Sequence, residues 1–331
     1  MNLYRYDKIR GALYGVAVGD ALGAPLEFMS AEDIEKRHGR VHEMIGGGWL
    51  NVKPGEVTDD TQMTICVAKG ILKNPDYPFE EIGEEFIKWY YSRPKDIGGT
   101  CSSSIYNAIN KGVRQARLQR PTTEDWLEAG FQTNEQFHGR SGGNGSLMRT
   151  VYPGLFYTEL SKAVDVADTI SRMTHFDKKA TTICSLYTKI IWKMVQEYNI
   201  VLRLNYLFDE TIKAGYYKAY EVGFKPNPTG YVVDSFLAAL YSINVAYADG
   251  AALQGAIETA VNLGGDADTI GAITGGLAGA LWGYGCIPTS WIDALSMKDK
   301  NTLDELALAA EKNQETLDPE MKNLDGSMPH W

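Results

Sequence analysis

Residues 269–292 contain no charged side chain, and this stretch constrains the fold more than any other part of the chain. It is long enough to cross a bilayer, which takes about 20 residues of helix. Its apolar content is mostly alanine and glycine, however, and these insert weakly. Gly271, Gly275, Gly276, Gly279, Gly283 and Gly285 punctuate it, and Pro288 lies near its end. A tightly packed central helix of a water-soluble protein accounts for it better than a membrane span. Residues 8–24, KIRGALYGVAVGDALGA, imitate a signal peptide, with basic residues, an apolar middle and a small-residue end. Asp20 breaks that imitation and assigns the segment to the folded chain.

The rest of the chain is patterned for helices. Apolar residues recur near every 3.6 positions in 160–175 (Ala163, Val166, Ala167, Ile170, Met173), in 178–198 and in 250–262. Ser30 with Asp33, Thr122 with Asp125 and Thr302 with Glu305 have the spacing of N-terminal capping pairs. Pro75, Pro78, Pro121 and Gly264–Gly265 supply stops. The β-rich triplet Tyr231-Val232-Val233 runs directly into a helical pattern. The expected fold is all-α, with a dozen or so helices. At 331 residues and 44% hydrophobic content, with no linker or repeat, residues 1–331 are expected to form one domain around a large core.

Charge and cysteine usage narrow the partners. The formal net charge is −10, with acids spread along the chain, a field that repels nucleic acid. Cys66, Cys101, Cys184 and Cys286 are far apart and form no C-x-x-C pair. Free thiols in a reducing cytoplasm are the expectation.

Two acidic clusters carry the chemistry. Thr58-Asp59-Asp60 precedes an apolar helical run, and Asp266-Ala267-Asp268-Thr269 follows a Gly-Gly turn. Each is explicable by itself as an N-cap, since Asp and Thr favour that position and the helix dipole favours the acid. Asp266 and Asp268, two apart, converge only if the segment is a loop leading into a helix, and Gly264 and Gly265 allow that. Together the clusters would offer four carboxylates and two hydroxyls. Such hard oxygens suit magnesium, manganese or calcium rather than zinc. Four close carboxylates without cations would repel one another. Two divalent ions about 3.5–4 Å apart would neutralise them and activate a water. Spacing alone does not say that the two clusters meet.

GALYGVAVGDALGAPLEF, TDDTQM, GGNGSLMR, TGYVVDS and NLGGDADTIGAITGGLAGALWG, in this order across residues 11–282, resemble the signature blocks of the ADP-ribosylglycohydrolase family. EFMSAEDIEKRHG, GGGWLNVKPGEVTDDTQM and WYYSRPKDIGGTC resemble the branch that removes ADP-ribose from an arginine of nitrogenase reductase. The resemblance implies a multi-helix orthogonal bundle and hydrolysis of the N-glycosidic bond of ADP-ribosylated arginine on a protein. It also implies two Mn²⁺ or Mg²⁺ ions and a PII-type regulatory partner. By position, Thr58, Asp59, Asp60, Asp266, Asp268 and Thr269 match metal ligands. Glu27 matches an acid beside that centre, on metal or substrate. Asn144, Gly145 and Ser146 match the loop around the diphosphate, and Gly230 and Tyr231 the adenosine side. His175 matches a substrate-side histidine block, and Asp96 an acid near the scissile end. Asp60 and Asp96 are the expected catalytic pair.

Read physically, Gly142 to Gly145 offer backbone N–H groups that can hold phosphate without basic residues, with Arg149 either assisting or tied up structurally. Gly99 stands where the close branch usually carries asparagine, which opens the question of the acceptor. An O-glycosidic hydrolase acting on serine or on a small ADP-ribosyl metabolite, a non-catalytic ADP-ribose binder and a two-metal phosphoesterase remain alternatives.

Overall fold

The computed structural model describes residues 1–114 and 120–315, so the last 16 positions of the expected domain, 316–331, lie outside the described residues. The chain is all-α: no strand occurs among the described residues, only isolated bridges. The helices are α1 (Leu3–Gly23), α2 (Ala31–His38), α3 (Asp59–Lys73), α4 (Phe79–Tyr91) and α5 (Gly99–Arg114). Then follow α6 (Thr123–Gln136), α7 (Val151–Phe156), α8 (Leu160–Arg172), α9 (Lys178–Gln196) and α10 (Ile200–Lys213). The last five are α11 (Val232–Ala248), α12 (Ala252–Val261), α13 (Ala267–Trp282), α14 (Thr289–Ala294) and α15 (Met297–Glu315). A 3₁₀ turn, Asn144–Arg149, precedes α7.

The uncharged stretch forms α13, which is buried from Ala267 through Leu281, and the segment that imitated a signal peptide lies in α1, beside it. No helix among the described residues is long and apolar enough to cross a membrane. The two helices meet through glycines spaced four apart on each. A Cβ on Gly15 would sit 2.0 Å from Gly275 O, and one on Gly19 would sit 2.1 Å from Gly271 O. Gly11 opposes Gly279 in the same way, and Gly23 opposes Ala267. Four glycines on α1 thus let two backbones touch, in a register that sets Asp20 near the start of α13.

Local signals explain most boundaries. Ser30 Oγ accepts from Asp33 N–H at 3.1 Å, and Thr122 with Asp125 forms a reciprocal capping box. The third expected cap is wrong. Thr302 lies inside α15 and donates to Lys298 O, while Ser296 caps that helix by accepting from Asp299 N–H. The pair Ser296–Asp299 has the same spacing, so the helix simply starts earlier. Tyr231 is the N-cap of α11, and the β-rich triplet joins the helix, where packing against the core outweighs β-propensity.

Candidate active site

Three pairings of loops and helix ends build one cleft of about 400 Å³. The first joins residues 26–30 to 264–266. Phe28 N–H donates to Gly265 O at 2.7 Å, and Gly265 N–H donates to Met29 O at 2.8 Å. Gly264 and Gly265 both have positive φ, 73° and 64°, which glycine adopts without strain. This pairing carries Glu27 to Asp266. Carboxylate oxygens of Glu27, Asp266 and Asp268 all lie within 4.8 Å of one another. Asp266 occupies the N-cap position of α13 with φ −87° and ψ 65°, outside the helix proper, and this is how two acids two apart converge.

The second pairing brings the distant clusters together. Thr58 is the N-cap of α3, and Asp59 and Asp60 form its first turn. Asp60 Oδ2 accepts from Thr58 Oγ1 at 3.3 Å and from Thr269 Oγ1 at 3.4 Å, across 209 positions of sequence. Asp60 Oδ1 is buried with no hydrogen-bond partner. Asp59 lines the cleft. An all-oxygen donor set of clustered acids that leaves one buried carboxylate oxygen unpartnered fits a hard divalent cation.

The third pairing forms the opposite bank. Asn144 N–H donates to Gly230 O and Val232 N–H to Gly142 O, both at 3.0 Å. Asn144 Nδ2 reaches Asp266 Oδ2 and Ser235 Oγ, each at 2.8 Å. Gly143, Asn144, Gly145, Gly230 and His175 line the cleft. The Asn144 N–H is therefore spent on Gly230 and does not face outward in a phosphate nest. Ser146 is fully buried, with its Oγ accepting from Ser171 Oγ and lying 3.4 Å from Cys184 Sγ, so its side chain belongs to the core. Arg149 is also fully buried. It donates to Gly145 O, Ile170 O and Thr174 Oγ1 and lies over the Phe86 ring, bracing the loop from behind instead of facing the cleft. Tyr231 is 45% exposed and its ring lies beside Gly142.

His175 is buried under Gly143 and Gly145, where a Cβ would lie 3.3 and 3.2 Å from its ring. Burial, reinforced by Arg149, pushes its pKa down to about 3, so the ring is neutral. Its Nδ1 lies 2.8 Å from Thr174 Oγ1. Asp96, on the same cleft, accepts from its neighbour Ile97 N–H, and burial raises its pKa, as does Asp266. Gly99 begins α5 on the cleft wall, and a Cβ there would meet nothing within 4 Å.

The acids strain one another electrostatically. Burial and then the charges of Asp96, Asp266 and Asp20 push Glu27 up to about 8, against the opposing Trp49 hydrogen bond. Asp59, Asp60 and Asp268 are raised well above the usual carboxylate range, first by burial and then by their neighbours.

Sequence reasoning passed over two features. Asp20 is fully buried and accepts from Thr58 N–H and Oγ1 and from Thr61 N–H and Oγ1, at 2.5–3.1 Å. It clamps the first turn of α3. A single charge in the otherwise uncharged stretch 11–26 was its signal. The second is the aromatic pair Phe28 and Trp49, 5.4 Å apart between centroids, with Trp49 Nε1 donating to Glu27 Oε2 at 2.6 Å. Nothing in the linear pattern joined them to the acids.

A helical scaffold that gathers carboxylates from three distant segments at the base of one cleft defines an all-α protein with a candidate divalent-cation centre. The chain belongs to the ADP-ribosylglycohydrolase family, whose model matches residues 1–319, and its activity class is hydrolysis of an ADP-ribosyl glycosidic bond. It is 31% identical over 305 residues to the ADP-ribosyl-(dinitrogen reductase) glycohydrolase of Rhodospirillum rubrum, covering 88% of this chain and 92% of that protein. It is 30% identical to the ADP-ribosylarginine hydrolase Tri1 of Serratia proteamaculans, over 89% of this chain and 76% of the relative. A solved structure titled ADP-ribosylglycohydrolase-related protein complex superposes with a TM-score of 0.71 at 27% identity, covering 94% of this chain and 99% of that one.

Proposed function

We propose that this protein hydrolyses the N-glycosidic bond between ADP-ribose and an arginine side chain of a modified protein. The observation that carries the reading is the meeting of Asp60 with Thr269 in a cluster that Glu27, Asp266 and Asp268 complete. Two relatives whose names specify ADP-ribosyl-dinitrogen reductase and ADP-ribosylarginine support the substrate class. Dinitrogen reductase is the first target to test. The geometry lends no support to a PII-type regulator.

In this reading Thr58, Asp59, Asp60, Asp266, Asp268 and Thr269 would hold two Mn²⁺ or Mg²⁺ ions, with the Glu27 carboxylate in the same cluster. When bound, such ions would neutralise the carboxylates and supply Lewis acidity. The protein's own groups do the rest. The backbone of Gly143–Gly145 and the Asn144 side chain border the diphosphate, and Gly230 and Tyr231 the adenosine. Tyr231 stacks its half-exposed ring on the base. Neutral His175 supports the Gly143–Gly145 backbone from below, at no electrostatic cost near the acids. Asp96 faces the reactive end. Its raised pKa brings it nearer neutrality, where a general base works best. It accepts a proton from the attacking water as the water oxygen bonds to the anomeric carbon. The C–N bond breaks, and the guanidine leaves and takes up that proton.

Asp60→Asn and Asp268→Asn, assayed separately in Mn²⁺ on an ADP-ribosyl-arginine substrate, should each lose at least about a hundred-fold in release of ADP-ribose. Wild-type rates in both would refute the site. Turnover of a serine-linked substrate with none of the arginine-linked one would transfer the activity to the O-glycosidic alternative.

A further inference from the structure

Phe28 and Trp49 form a second wall of the cleft, and the chain goes to some length to keep them there. Phe28 is 71% exposed and Trp49 54% exposed, though together they present two of the largest apolar side chains available. Phe28 also has φ of 63°, a left-handed conformation that costs a bulky residue about 1 kcal/mol or more. The cost is met by structure around it: its N–H is bonded to Gly265 O, and its ring lies against Trp49. Trp49 is held in turn by its indole N–H on Glu27. A strained, exposed aromatic held by two contacts, one of them to a ring that is itself pinned, is not explained by core packing, since neither ring is in the core.

Position gives the pair a partner. Asp266 divides the cleft: Asn144 and Gly230 lie on one bank, Glu27 on the other. Phe28, Trp49 and Asp96 share the Glu27 bank and line the same cleft. That bank therefore combines two exposed aromatic rings with carboxylates. Aromatic faces attract cations through the ring quadrupole, and a carboxylate completes the match. A planar guanidinium fits both.

We infer that Phe28 and Trp49 are the acceptor subsite, stacking on the guanidinium and alkyl stem of the arginine that carries ADP-ribose, with Asp96 on the same bank. This rests on the arginine reading above and adds the residues that select for it. The pair acts on the acceptor half alone, so the ADP-ribose half binds independently of it.

The test uses Phe28→Gly and Trp49→Leu in the full chain loaded with Mn²⁺. Glycine at 28 removes the ring and relieves the positive φ, so the fold is kept; Trp49→Phe restores a ring without the N–H. KM for an ADP-ribosyl-arginine peptide should rise about five-fold in Phe28→Gly and Trp49→Leu, the scale of an exposed cation–π contact. It should recover largely in Trp49→Phe. The inhibition constant of free ADP-ribose should stay within about two-fold of wild type throughout. An unchanged KM in both ring-deleted variants, or an equal loss of ADP-ribose affinity, overturns the subsite while leaving the arginine reading intact. Absence of arginine-linked turnover in the wild-type protein strikes the arginine reading itself, and is seen before any variant is made.

Discussion

Gly15 and Gly275 touch backbone to backbone: a Cβ on Gly275 would lie 1.9 Å from Gly15 O. The contact sits mid-way along the α1–α13 pair, and one shared end of that pair carries both Asp20 and Asp268. Tight axial packing and the acid centre are therefore one construction.

Gly275→Ala tests this. Alanine gains about 1 kcal/mol of helix propensity over glycine in a helix interior. Against that stands overpacking, which costs about 1–3 kcal/mol in ordinary cores. A methyl 1.9 Å from a carbonyl oxygen belongs at or beyond the top of that range. The clash should win by about 2 kcal/mol or more, and in a chain of this size thermal unfolding should show a Tm lower by about 3 °C or more. Gly99→Ala, with open space around its Cβ, is the control and should not fall. A Gly275→Ala protein as stable as wild type would mean the helices can separate at no cost.

Asp20 makes a different prediction. Its two oxygens accept every hydrogen bond they receive from Thr58 and Thr61, so no position tolerates a donor. Asp20→Asn keeps the shape and places an NH₂ against N–H and O–H groups. The first turn of α3 should shift, taking Asp59 and Asp60 with it. Loss of a group that orients ligands costs about 10–100-fold in metal affinity. Calorimetry with Mn²⁺ should read a loss in that range while circular dichroism stays helical. Unchanged Mn²⁺ affinity would reduce Asp20 to a local cap.

The contrast between Asp20 and Asp268 shows how much the sequence disclosed. Helix periods, most caps and the two acidic clusters were legible because each is a local pattern. Asp268 announced itself through its neighbours Asp266 and Thr269. Glu27 was legible only as an acid near the centre, because its approach to Asp266 depends on the backbone bonds of Phe28 and Gly265. The register of α1 on α13 depends on glycines some 260 positions apart, whose spacing looks unremarkable on either helix alone. Ser146 misled, and Arg149 stayed undecided, for the opposite reason. A 3₁₀ turn rotates both inward, and a linear motif does not show rotation.

The crowded acids also set a pH dependence whose sign is fixed. Glu27 ordinarily titrates near 4.3 and is pushed to about 8 in the fold without metal, with Asp59, Asp60 and Asp268 raised alongside it. Between those values the folded chain holds protons that the unfolded chain has released. Stability rises with pH only where the unfolded state binds more protons, so here it falls as pH rises. Metal-free protein should therefore lose several degrees of Tm between about pH 6 and pH 8.5. A divalent cation must displace those protons to reach the oxygens, so its affinity rises over the same window. Mn²⁺ should restore more Tm at pH 8.5 than at pH 6, and calorimetry in buffers of different ionisation enthalpy should detect protons released on binding at pH 7. Metal binding without proton release, or a metal-free Tm that climbs with pH, would show that the acids are already ionised and far enough apart to need no cation.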